Sequence, residues 1–264
     1  MEKTIKINGI DVNYSLRGDS NKETIVFLHG YLENMTIWQE FAGFFEQNYQ
    51  VLCVDLPGHG KTAVFFQEHS MKLMADIVFE LTEILNIQKF TLVGHSMGGY
   101  VSLAFAEYYS NKLNAFVLFH SHVYADDEQK KAARNAEIEK VKAGKYNEVV
   151  ETNIPRMYAP YNLEKFADKI EFSKEIARKI PEEGVIAALE GMKNRPDRLH
   201  VIAETKLPHM FIVGKDDLLI PYNPDDSQFS VNKNTKTVVL NSGHMGMFED
   251  KEKALESLAQ FISN

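Results

Sequence analysis

Short runs of apolar and β-branched residues recur along the chain at 24–28, 51–55, 90–93, 115–119, 210–213 and 237–240. Residues that are apolar at successive positions face both sides of a sheet, so these runs predict strands buried within a parallel sheet. Ahead of them, segments 4–7 and 12–16 flank Asn8-Gly9, a dipeptide suited to a two-residue turn, which predicts an opening hairpin. Helical periodicity at 34–46, 70–85, 97–109 and 251–262 supplies the connections. Strands alternating with helices in this way predict an α/β fold class: a doubly wound, mostly parallel sheet.

From about 121 to 194 the alternation stops and helical segments rich in Lys, Glu and Ala take over. One of them spans 126–143, with Asp126 or Asp127 as its amino-terminal cap and Gly144 as its stop; another spans 182–193. The expected organisation is therefore a core made of 1–120 and 195–264, carrying a helical cap inserted at 121–194. Met157, Tyr158, Tyr161 and Met192 either pack this insertion onto the core or, with Met245, wall an apolar substrate site.

Composition narrows the field. A chain of 264 residues buries roughly three quarters of its extended surface and needs no disulfide or metal for stability. Cys53, the single cysteine, lies in an apolar run and is read as a small buried residue. The formal charge of −8 and the lack of a basic stripe argue against a nucleic-acid partner. With neither a leader-like apolar segment nor a run of 18 apolar residues, the expectation is a cytoplasmic protein without a membrane span. Nine histidines raise the question of a metal, yet no H-E-x-x-H spacing exists, and His120 and His122 have no third ligand nearby in sequence. No metal and no cofactor are expected, and the oligomeric state is left open.

The candidate chemistry sits at Gly94-His95-Ser96-Met97-Gly98, between a strand-like and a helix-like run. Glycines let strand and helix approach closely at such a hairpin, which thrusts the Ser96 hydroxyl above the sheet. The amide of Met97 opens the helix and, with that of Tyr31 in the His29-Gly30-Tyr31 turn, is a candidate donor pair for a developing oxyanion. Downstream, Lys215-Asp216-Asp217 ends one strand and Gly243-His244 follows the last, so nucleophile, acid and histidine occur in that order. Asp55 feeds a Pro-Gly turn and reads as a turn-bonding carboxylate, while His59 and His95 read as loop-shaping residues.

At these residues the chain resembles the α/β-hydrolase superfamily, over nearly its whole length. The likeness also includes Asp55-Leu56-Pro57-Gly58-His59-Gly60 and Arg195-Pro196-Asp197. The resemblance implies that the acid is the third residue after the strand-ending Gly214, with Pro221 four residues further on, which selects Asp217 over Asp216. Serine at the elbow, where one branch carries aspartate, disfavours dehalogenation and epoxide opening. The implied activity is hydrolysis of a small or medium, partly apolar carboxylic ester through an acyl-Ser96 intermediate, with Asp217 and His244 completing the triad. A small-molecule, ester-like substrate is thus the expected partner. A lactonase, a thioesterase, a C–C bond hydrolase, for which no convincing arginine pair is seen, and a non-catalytic ligand receptor are the alternatives.

Overall fold

The computed structural model describes residues 2–263. The opening hairpin is β1 (Glu2–Ile7) and β2 (Ile10–Arg17), turned at Asn8 and Gly9 with positive φ of 52° and 81°. The fully buried runs form β3 (Thr24–Leu28), β4 (Gln50–Val54), β5 (Phe90–His95), β6 (Leu113–Phe119) and β7 (His209–Gly214), followed by a more exposed β8 (Thr235–Leu240). They join one sheet in the order β1-β2-β4-β3-β5-β6-β7-β8, in which β1, β2 and β4 pair antiparallel and the rest are parallel.

The parallel register sets the carboxyl ends level. Leu28 pairs with Gly94, His95 with Phe119, and Gly214 with Leu240. The residues that follow these pairs, His29, Ser96, His120 and Asp217, together with the loop after β8, therefore gather along one edge, where open α/β sheets place their ligands.

Helices cover both faces. Segment 34–46, expected as one helix, is a 3₁₀ turn, Met35–Trp38, capped by the Asn34 side chain and followed by α1 (Gln39–Phe45). The break lets Trp38 pack edge-on against Phe41 and Phe119, at 5.4 Å between ring centroids in each pair. On the other connections lie α2 (Met71–Ile84), capped by Ser70, and α3 (Met97–Tyr109). Between β6 and β7 the chain forms α4 (Glu128–Lys142), α5 (Tyr146–Arg156), α6 (Ala167–Ala177), α7 (Glu182–Lys193) and α8 (Leu199–Glu204), and it closes with α9 (Gly246–Glu249) and α10 (Lys251–Ile262). Asp127, not Asp126, caps α4 by accepting from the Lys130 amide at 2.7 Å, and Gly144 ends the turn after it at φ 72°. Cys53 is buried, and desolvation pushes its thiol up to about 12. Among the described residues no helix is long and apolar enough to cross a membrane.

Candidate active site

Ser96 occupies φ 49° and ψ −112°, a strained conformation for a residue with a side chain. The surrounding glycines explain how it is held. A Cβ on Gly94 would lie 2.2 Å from the Gly98 carbonyl oxygen, and one on Gly98 would lie 2.7 Å from the carbonyl oxygens of Leu28 and His29. The elbow is thus wedged against the turn that follows β3, and a Cβ on Gly30 would stand 3.1 Å from that of Ser96. Among the described residues the amides of Tyr31 and Met97 donate to no intramolecular acceptor, as an oxyanion-binding pair requires.

Asp217 and His244 meet at the same edge. The Asp217 Oδ2 lies 2.7 Å from His244 Nδ1, and its Oδ1 accepts from the amides of Leu219 and Ile220 at 2.9 Å each. Burial opposes ionisation of Asp217, but the charge of His244 and the hydrogen bonds from His120 and His244 outweigh it and hold the carboxyl well below the usual range. Burial likewise works against a charged His244, and Asp217 reverses the sign, raising the imidazole above its ordinary value. Asp216, by contrast, accepts from the exposed Tyr161 hydroxyl at 2.8 Å. The adjacent aspartates point to different surroundings.

The fold also gives His120 the neighbours that its sequence context lacked. Its Nδ1 lies 3.2 Å from the Asp217 Oδ2 already engaged by His244, so ligand atoms of three buried groups fall within 4.8 Å of one another. The expectation that no third ligand lies near His120 is corrected here. The Nδ1 atoms of both rings lie against the same carboxylate oxygen, Oδ2 of Asp217. Burial is the main reason that the His120 ring sits down at about 4, against the pull of Asp217.

Two carboxylates that the sequence reading overlooked brace the site. Glu33, with Oε2 2.5 Å from the Gly30 amide and 2.9 Å from His95 Nδ1, ties the Tyr31 turn to the elbow. The other nitrogen of His95 lies 2.9 Å from the His244 carbonyl oxygen. Burial resists a charged Glu33, yet the His95 ring and the Gly30 amide hold its carboxyl below the ordinary value. Glu249 accepts from the amides of Gly243 and Ala159 at 2.9 Å each and from Asn162 Nδ2 at 2.8 Å, clasping the His244 loop to the segment after α5. A carboxylate inside the apolar stretch after His244 was the available signal for it. Asp55 serves its turn as expected: it accepts from the Met35 amide at 2.8 Å and the Lys61 amide at 2.9 Å.

Ser96 and His244 open onto one cavity of about 330 Å³, lined also by Tyr31 and Leu32. The Ser96 hydroxyl makes no hydrogen bond among the described residues, although Ser96 and His244 line the same cavity. Of the proposed pocket residues, Met157 and Met192 line this cavity. Tyr158, Tyr161 and Met245 do not. Tyr158 is buried and donates to the Lys169 carbonyl at 3.0 Å; Tyr161 is 62% exposed and bonded to Asp216; and Met245 is buried in the core. The lack of an arginine pair is also corrected: Arg134 and Arg156, far apart in sequence, share the cavity wall with Lys130.

An eight-stranded, mostly parallel sheet with helices on both faces and an elbow after β5 defines the alpha/beta hydrolase fold. The chain belongs to this family of hydrolases, whose profile matches residues 23–251. It is 25% identical to the monoacylglycerol lipase ABHD6 of Homo sapiens, over 95% of this chain and 79% of that protein. It is 26% identical to a 2-hydroxy-6-oxononadienedioate/2-hydroxy-6-oxononatrienedioate hydrolase of Paraburkholderia phymatum, over 95% of this chain and 90% of that protein. Among solved structures it is similar to a thermophilic esterase from Thermogutta terrifontis, at a TM-score of 0.92 and 25% identity, covering 100% of this chain and 98% of the other.

Proposed function

We propose that the protein is a serine hydrolase of small carboxylic esters, acting through an acyl-Ser96 intermediate. One observation carries this reading: Ser96 and His244 face the same cavity, and His244 is held at 2.7 Å by a buried carboxylate placed to orient it. In this reaction His244 Nε2 takes the Ser96 proton as Oγ attacks the ester carbonyl. Asp217 fixes the tautomer with the proton on Nδ1 and stabilises the imidazolium. The amides of Tyr31 and Met97 bind the oxyanion, His244 returns its proton to the leaving alkoxide, and water activated by the same ring then releases the acid. Residues 121–194 act as a cap that selects substrate, since they supply Met157 and Met192 to the cavity but no member of the triad. The hydrolase relatives support the reaction class, and their range, from lipase to esterase to C–C bond hydrolase, leaves the scissile bond to experiment. Stopped-flow hydrolysis of p-nitrophenyl acetate tests the reading. A burst of p-nitrophenol equal to the enzyme concentration, followed by slower turnover, is expected. Absence of both burst and turnover across ester, thioester and lactone substrates contradicts it.

A further inference from the structure

The cavity in front of Ser96 has two unlike walls. Leu218, Leu219 and Ile220 of the acid loop, with Met157 and Met192 from the helical segment, give it apolar lining. α4 and α5 contribute Lys130, Arg134 and Arg156, together with the carboxylates of Asp126 and Glu137. Cations outnumber anions here in a chain whose net charge is −8.

Of the two carboxylates, Asp126 is neutralised by cations, whereas Glu137 is held through Oε1 by neutral donors only. Asp126 is buried between two guanidinium groups: Arg134 Nε donates to its Oδ2, and Arg195 Nη1 lies 2.7 Å from its Oδ1. Arg195 is fixed in turn, with its guanidinium 4.0 Å above the Tyr100 ring. Glu137 accepts from the Tyr31 hydroxyl at 2.7 Å and from Asn153 at 3.1 Å, at the oxyanion end of the cavity. The cations, by contrast, have donors to spare. Among the described residues Nη1 of Arg134 makes no hydrogen bond, and Lys130 and Arg156 enter no ion pair, although Lys131 pairs with Glu128, and Lys174 and Arg178 both pair with Glu151. A guanidinium whose orientation is fixed by a buried carboxylate, with donors left over, is pre-organised to bind an anion in fork geometry.

We infer that this wall is a carboxylate subsite, and that the preferred substrates are esters of a dicarboxylic acid whose second carboxylate is ionised. That carboxylate binds Arg134, within the field of Lys130 and Arg156, while the methylenes between the acid groups lie along Leu218, Leu219 and Met192 and the ester carbonyl reaches Ser96. The inference rests on the hydrolase reading and refines it to a substrate class.

Ethyl hydrogen adipate and ethyl hexanoate, compared by ethanol release at low ionic strength, test the subsite. The expected result is a kcat/KM at least about tenfold higher for the half-ester, with the ratio shrinking as salt screens the cations. Arg134→Gln, and separately the surface pair Lys130→Gln with Arg156→Gln, reduce this acid-to-neutral ratio by about tenfold, and Arg134→Lys retains part of it. A wild-type ratio of one or below, or a ratio unmoved in both sets of variants, overturns the subsite while ethyl hexanoate turnover upholds the hydrolase. If neither ester is cleaved, the hydrolase reading is the one contradicted. Calorimetry of adipate with Ser96→Ala then decides the subsite: salt-sensitive binding lost in Arg134→Gln supports it, and no binding overturns it.

Discussion

The residues at the strand ends and those that the helices between β6 and β7 add to the cavity come from different parts of the chain and obey different constraints. At the strand ends, Ser96, Asp217 and His244 are each presented by a tight turn at the level edge of a parallel sheet, and their spacing is bounded by backbone contacts such as the 2.2 Å that a Cβ on Gly94 would leave to the Gly98 oxygen. The helices between β6 and β7 carry side chains whose partners are set only by packing. Arg134 lines the cavity with its Nε on Asp126, a carboxylate that Arg195 also engages, whereas Arg178 at the end of α6 pairs with Glu171 and Glu151. On the proposed function, the first group performs the reaction and the second selects what reaches it.

The sharpest division concerns the adjacent aspartates at the end of β7. Asp217→Asn is expected to lower kcat by up to ~10⁴-fold, because an amide favours the wrong His244 tautomer. Asp216→Asn, which loses only a bond to the exposed Tyr161, is expected to change kcat by less than about threefold, as surface pairs contribute little. Steady-state kinetics of the two variants checks this, and a reversed order breaks the assignment. The wild-type pH profile sharpens it. His244 must be neutral to act as base and its pKa is raised by Asp217, so kcat/KM is expected to fall with acidification through a midpoint above 6.5. A midpoint below 6.5 contradicts the ion pair.

Within the helical insertion, the structure separates packing residues from pocket residues. Tyr158 is 1% exposed, and Tyr158→Ala is expected to cost about 3–5 kcal/mol of stability, the range for large buried aromatic side chains. Tyr161→Ala, at an exposed site, is expected to stay within about 0.5 kcal/mol. Urea unfolding of both variants provides the measurement. Effects smaller than those at Asp217 and Tyr158 belong to the cavity wall: Met157→Ala and Met192→Ala are expected to shift the preferred acyl length by one or two orders of magnitude in kcat/KM, since one missing methylene contact is worth about 1–3 kcal/mol. Length profiles unchanged in both variants remove these methionines from the acyl site.

What could be read from the sequence follows the same division. The buried runs, the Asn8-Gly9 turn, the elbow and the acid and histidine loops announce themselves through local rules of period and turn chemistry, and the sheet forms as those rules predict. The helix expected at 34–46 breaks after Trp38 because tertiary packing of that ring against Phe119 outweighs helical periodicity. Glu33 gave no signal of its role and Glu249 only its place beside an apolar stretch, since the partners that define those roles, His95 for Glu33 and Ala159 for Glu249, lie far away in sequence. Tyr158 and Tyr161 look alike on paper; burial and exposure divide them only after α6 and the acid loop are in place. The cationic wall was hidden for the same reason, as Arg134 and Arg156 come from different helices.

The central claim is that Ser96 is the nucleophile activated by His244. Its most direct test is peptide mapping by mass spectrometry after treatment with a fluorophosphonate, in the native chain and in Ser96→Ala. The account predicts a single phosphonylated peptide with the adduct on Ser96, inhibition of ester turnover in proportion to labelling, and no adduct in the variant. Labelling at another residue, or turnover by Ser96→Ala at a rate near that of the native chain, contradicts it.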